Sequence, residues 1–146
     1  MKISVNIIPE LDEEEVIVNC ASRNNTVKKI VTALHSINTK LLCCKEGEMI
    51  QLSIGDILYI EAVARKTFFY TEKQIYESDK RLYVLEEQLR SRSFFRVSKS
   101  MIVNMQRVHS LRPELGARLL LTMDNGEKIV VSRVYANTIK EALEVI

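Results

Sequence analysis

The chain has 146 residues, enough for one ordinary domain or a domain with a short extension. It is 47% hydrophobic and 27% charged with a formal net charge of +2, so overall basicity does not by itself indicate a polyanion-binding protein. No apolar run approaches the roughly 18 residues of a membrane span, and the N-terminus lacks a signal-peptide cleavage site, so we expect a cytoplasmic protein.

The first 45 residues combine strand-like and helical patterns. Apolar runs at residues 3–8 and 16–20, separated by Pro9 and the acidic residues 12–15, predict two strands. A helix capped by Asn24 or Asn25 is predicted next. Its apolar residues recur at helical spacing: Val27, Ile30, Val31, Leu34 and Ile37. Residues 1–45 are therefore predicted to form a βαβ-like extension that aids dimerisation or receives control.

The pattern of residues 46–146 predicts a second unit, which is rich in antiparallel sheet. Short strand-like runs separated by glycines and charged residues extend from residue 41 to residue 71 and resume after residue 93. A helix at residues 79–90 interrupts them, with Leu82, Leu85 and Leu89 on one face and Ser78 or Asp79 as its cap.

The C-terminal part predicts a hairpin and a last helix. Asn125-Gly126 tolerates the positive φ of a tight turn between strands at residues 118–123 and 127–131. A helix from about residue 133 to residue 145 is predicted with Ser132 as its cap. Its apolar residues are Ile139, Ala142, Leu143 and Ile146. The fold class is thus mostly β with flanking helices (α+β).

The sequence offers no recognisable catalytic or metal-binding pattern. Cys20, Cys43 and Cys44 have neither disulfide-framework nor metal-ligand spacing, and we expect free thiols. No G-x-S-x-G, phosphate-binding glycine loop or H-E-x-x-H is present. We therefore expect no enzymatic activity, no cofactor and no small-molecule substrate.

Charge is unevenly distributed along the chain. Residues 90–118 contain seven arginines and lysines against Glu114 alone, a surplus of six positive charges. The rest of the chain has a surplus of four negative charges. Such a segment attracts a polyanion even in a nearly neutral protein, although a solvated basic face has the same composition.

Four motifs in order give the chain a specific resemblance over residues 45–144. They are Tyr59-Ile60-Glu61-Ala62, the helix around Leu82 to Leu89, the block from Phe94 to Asn104, and Val131-Ser132-Arg133. The chain resembles the LytTR family of bacterial transcription regulators, of the stand-alone type without a receiver domain. Ser98 and Lys99 stand where the family usually has histidine and arginine.

The resemblance implies an elongated antiparallel β fold whose loops enter successive major grooves of double-stranded DNA. Base-contacting positions carry over to Arg65-Lys66-Thr67, to Ser98-Lys99 and to Arg133. An arginine such as Arg133 can form a two-donor fork with guanine. Further candidates for phosphate contact are Arg96, Ser100, Ser132 and Asn137. An ion pair with an acidic neighbour is an equal alternative to phosphate contact for Arg96. Helix capping is an equal alternative for Ser132.

The resemblance also implies the partners. We expect a homodimer on direct DNA repeats and a membrane protein that restrains the regulator. The alternative function is a protein-interaction module whose basic face binds an acidic or membrane-protein partner.

Overall fold

The computed structural model describes residues 1–145, with all their side chains except those of Ser36, Asn38 and Val145. Three α-helices are present: α1 (Asn25–Asn38), α2 (Leu82–Leu89) and α3 (Ala136–Val145). The ten strands are β1 (Lys40–Lys45), β2 (Glu48–Ser53), β3 (Tyr59–Val63), β4 (Lys66–Tyr70), β5 (Ile75–Ser78), β6 (Phe94–Ser98), β7 (Met101–Asn104), β8 (Val108–Glu114), β9 (Arg118–Met123) and β10 (Lys128–Val131). The mostly β, α+β prediction is confirmed.

The strands form two antiparallel sheets. The larger has the order β2-β1-β5-β4-β3-β7-β6, and the smaller has the order β10-β9-β8. Most neighbours are joined by short turns, because residues at the tips adopt positive φ, including Ala64 at +56° and Gly126 at +91°. Gly126 lies in the predicted Asn-Gly hairpin between β9 and β10, which is confirmed.

Two hydrophobic cores lie on opposite faces of the large sheet. The first packs α2 against buried residues such as Ile60, Phe69 and Phe94. The second includes Val97, Val103 and Ile139 and lies beneath the small sheet and α3. Because alternate residues of a strand face opposite sides, β6 contributes Phe94 to one core and Val97 to the other. Each such buried side chain contributes about 1.5–3 kcal/mol of transfer free energy.

The helices follow the predicted faces more closely than the predicted ends. The Asn24 side chain accepts a hydrogen bond from Val27 N at 3.0 Å and caps α1 as predicted. Leu82, Leu85 and Leu89 are buried, but α2 begins at Leu82 after Arg81, and neither predicted residue caps it. α3 begins at Ala136, three residues later than predicted, and Ile146 lies outside the described residues.

The N-terminal prediction is wrong in its two strands. Residues 1–24, all of which are described, contain neither helix nor strand, because an extended segment needs a partner for its backbone groups and this chain provides none there. β1 pairs with β2 and β5, so it belongs to the large sheet. This hairpin crosses the predicted division at residue 45, and the role of residues 1–45 stays a prediction.

Candidate nucleic-acid interface

Two turns leave the large sheet at the same end. β3 pairs antiparallel with β7, with Glu61 opposite Met101, so the turn after β3 and the turn before β7 are neighbours. Ala62 N donates to Ser100 O at 2.8 Å and ties the two turns together. The first turn presents Arg65 and the second presents Lys99, and both side chains are exposed.

A third segment joins them from the small sheet. After β10, Ser132 N donates to Val97 O at 2.9 Å, which places Ser132 beside the end of β6. Arg133 then lies in an exposed turn in which Tyr135 N donates to Ser132 O at 3.0 Å. We name residues 64–66, 98–100 and 132–133 the three-turn surface. Asn137 is exposed on the first turn of α3, close in sequence to this surface.

Three cations of this surface are available to an external anion. Arg65, Lys99 and Arg133 are exposed and make no ion pair within residues 1–145. Lys66 differs, because its Nζ lies 3.3 Å from the Glu77 carboxylate across the β4–β5 pair. That pair is exposed and weak, so it reduces the attraction of Lys66 for an anion without removing it.

Arg96 lies behind the turn between β6 and β7 and braces it. Its Nη1 donates to Lys99 O at 2.6 Å, and its Nη2 donates to Glu86 Oε1 at 3.1 Å. Its side chain is only 15% exposed. The sequence left two roles open for Arg96, a phosphate contact and an ion pair, and the ion pair is the one that forms. Ser98 also shapes this turn, since its hydroxyl accepts a bond from Ser100 N at 3.3 Å.

Thr67 is a predicted site residue that the structure buries. It is 3% exposed, and its hydroxyl donates to Lys80 O at 2.8 Å. Thr67 lies on the same face of β4 as the core residue Phe69, which explains its burial. Its hydroxyl thus holds the segment before α2 instead of facing an external ligand.

Ion pairs in the fold neutralise part of the positive charge of residues 90–118. Four of its seven cations form ion pairs: Arg90 with Glu87, Arg96 with Glu86, Arg107 with Glu72 and Asp124, and Arg112 with Glu114. Counting charges along the sequence therefore overestimated the field of this segment. The unpaired cations that matter come from three separate segments of the chain.

Two sets of side-chain contacts were not predicted from the sequence. Arg107 donates to Gly55 O at 3.0 Å as well as to its two acids, and its bond with Asp124 raises the pKa of the guanidinium. Tyr59 and Tyr70 stack with ring centroids 4.4 Å apart. Burial raises the pKa of both phenols, with Glu127 adding at Tyr59 and Glu61 at Tyr70. Glu61 accepts a hydrogen bond from the Tyr70 hydroxyl at 3.2 Å.

The described residues contain no group of side chains suited to hold a metal ion, and none of the described helices is long and apolar enough to cross a membrane. The three-turn surface instead combines exposed guanidinium and ammonium groups with serine hydroxyls. Such groups donate hydrogen bonds to phosphate oxygens and to the acceptor atoms of base edges.

Comparisons with known proteins find similarity to DNA-binding domains. The LytTr DNA-binding domain family model matches residues 47–144. The solved LytTr DNA-binding domain of a Bacillus cereus response regulator superposes with a TM-score of 0.67 at 28% identity, covering 72% of this chain and 96% of that one.

Curated relatives fall into two length classes. Sensory transduction protein LytT of Bacillus cereus is 27% identical over 95% of this chain, and that of Bacillus anthracis is 32% identical over 73% of it. The matches span 60% and 43% of those proteins. An uncharacterized HTH-type transcriptional regulator of Staphylococcus aureus is 25% identical over 99% of both chains.

Proposed function

Because this chain belongs to the LytTR family of DNA-binding domains, whose members act in transcription regulation, we propose that it recognises a specific double-stranded DNA sequence by placing its turns in the major groove. The observation that carries the proposal is the three-turn surface, where backbone hydrogen bonds hold three turns together at one end of the sheet and each turn carries an exposed, unpaired cation. Turns fixed in this way lose little conformational freedom on binding, which favours specific recognition.

The three cations have different roles in this proposal. Arg133 forms a fork with guanine O6 and N7, a contact that contributes about 1–3 kcal/mol of discrimination. Lys99 acts more as a point charge near phosphates and bases, because its ammonium lacks the planar donor fork of a guanidinium. Arg65 carries such a fork at the tip of its turn. Phosphate contacts that fix the register come from Ser98, Ser100, Ser132 and Asn137.

Footprinting on the DNA upstream of the protein's own gene tests the proposal, followed by titration of Arg133→Ala. We expect the variant to lose about five- to 150-fold in affinity for the protected site and far less for random DNA. Arg112→Ala is the matched control, since Arg112 is exposed and paired with Glu114 outside the three-turn surface. Equal losses on both DNAs would reduce Arg133 to a phosphate contact, and absence of any protected site would overturn the proposal.

The assembly belongs to the same proposal. We infer a cytoplasmic homodimer that occupies direct repeats, with a membrane protein as its restraining partner. Sedimentation of the protein on DNA with one and with two repeats tests the stoichiometry, because a homodimer binds both repeats with positive cooperativity.

A further inference from the structure

The N-terminal arm, residues 1–8, is apolar on one side and has no partner among residues 1–145. Ile3, Val5 and Ile7 are 79%, 84% and 88% exposed, and polar residues alternate with them. This alternation gives an extended segment one apolar face and one polar face, as in a strand of a half-buried sheet. Residues 1–7 make no backbone hydrogen bond to another described residue, so the arm carries unpaired donors and acceptors.

The large sheet ends at β2 with an unprotected backbone edge. In the small sheet, β8 is protected by Arg112 and Pro113, because charge and a missing N–H discourage the addition of a strand. The edges β6 and β10 lie against each other through the bond from Ser132 N to Val97 O. β2 contains neither proline, lysine nor arginine, and in the described chain it pairs with β1 alone.

The side chains next to this edge complement the arm. Leu42 and Met49 are 52% and 66% exposed on the same face of β1 and β2, opposite to the α1 side. A strand added to β2 would place Ile3, Val5 and Ile7 on the face that carries Met49, Gln51 and Ser53, where the apolar contacts are with Met49. The charges are also compatible, because Lys2 is the only charged side chain of residues 1–8 and the edge carries Glu48.

We propose that the arm of one copy adds a strand to the β2 edge of a second copy, so that each copy donates one arm and receives one. The proposal rests on the homodimer of the proposed function and specifies its interface. Residues 9–24 contain neither helix nor strand, and 16 extended residues span roughly 50 Å, enough to reach a neighbour. Reciprocal exchange forms the same contact twice and closes the assembly at two copies.

Sedimentation equilibrium of the full chain and three variants tests the proposal. Val5→Asp places a charge on the apolar side of the arm, and Met49→Lys places one beside the edge. Each should weaken dimerisation by about tenfold or more, because the charge is desolvated on association. Asn6→Ser, a neutral change on the polar side of the same arm, should leave it unchanged. A mixture of the Val5→Asp and Met49→Lys variants should recover association. The Met49→Lys variant keeps an unchanged arm, and this arm can pair with the unchanged edge of the Val5→Asp variant.

Dimerisation of Val5→Asp as strong as that of the parent chain would overturn the proposal, and so would a parent chain that stays monomeric. Protection of arm amides from hydrogen exchange that does not change with concentration would also overturn it, since the arm would then fold onto its own chain. DNA carrying a single repeat separates this proposal from the proposed function. Val5→Asp should bind a single repeat normally and lose only cooperativity on two repeats, whereas failure of the parent chain to bind any site would refute the function alone.

Discussion

Replacing Arg96 with lysine tests whether bracing the turn between β6 and β7 is needed for DNA recognition. Arginine bonds both Lys99 O and Glu86, whereas a lysine ammonium reaches only one of them. Loss of one charge-assisted bond costs about 1.5–3 kcal/mol when buried, and partial exposure of Glu86 reduces this to about 1–2 kcal/mol. The melting temperature should then fall by about 2–8 °C.

The effect on DNA follows from the freedom that the turn gains. Ordering one released residue on binding costs about 1–2 kcal/mol, so affinity for the specific site should fall by about five- to 30-fold. Affinity for random DNA should change little, because the charges are retained. The assay is a fluorescence-anisotropy titration on both DNAs at constant salt.

Arg118→Lys is the control for this prediction. Arg118 Nε donates to Leu115 O at 3.0 Å and supports a turn between β8 and β9 in a similar way. Its replacement should leave specific DNA binding unchanged. If Arg96→Lys lowers the melting temperature and binds the specific site as tightly as the parent chain, the bracing role is refuted.

Three further predictions concern residues away from the three-turn surface. Thr67→Val should lower the free energy of unfolding by about 1 kcal/mol through the lost hydroxyl bond, with DNA affinity unchanged; reduced affinity in a protein of normal stability would return Thr67 to the interface. Arg107→Met should lower the free energy of unfolding by about 1–3 kcal/mol in a urea titration, because several polar partners lose a donor; an unchanged midpoint would show that the bridge adds no stability. The pKa of Tyr59 and of Tyr70 is raised in the folded state. The stability that the two neutral phenols contribute to the folded state is therefore fully present below about pH 10 and is lost as pH rises above it. Unfolding free energies at pH 9 and pH 11 should therefore differ less in a variant with both tyrosines replaced by phenylalanine, and an equal difference would contradict this assignment.

Local patterns in the sequence predicted much of the fold. Period-two runs predicted antiparallel strands, and Asn125-Gly126 predicted its hairpin because Asn-Gly tolerates the backbone conformation of a tight turn. The buried face of α2 followed from leucine spacing. The same alternation could also have identified Thr67 as buried, since it shares a face with Phe69.

Features that depend on distant pairing were not predictable in this way. Arg96 meets Glu86 from α2, and Arg107 meets Glu72 from 35 residues away, so a linear count assigned free charge to both arginines. The runs at residues 3–8 and 16–20 have strand composition, but a strand also needs a neighbouring backbone. The amino-acid composition of a segment shows whether it suits a strand, but not whether a neighbouring backbone is present to pair with it.

The bond from Arg96 to the turn ends on the main-chain carbonyl of residue 99, an atom that every amino acid supplies. The side chain at that tip is exposed and makes no ion pair within the described chain. Mutation at position 99 can therefore change the chemistry presented to DNA while the turn keeps its support. A regulator built in this way can acquire a new operator by single substitutions at the tip without first acquiring compensating changes in its fold.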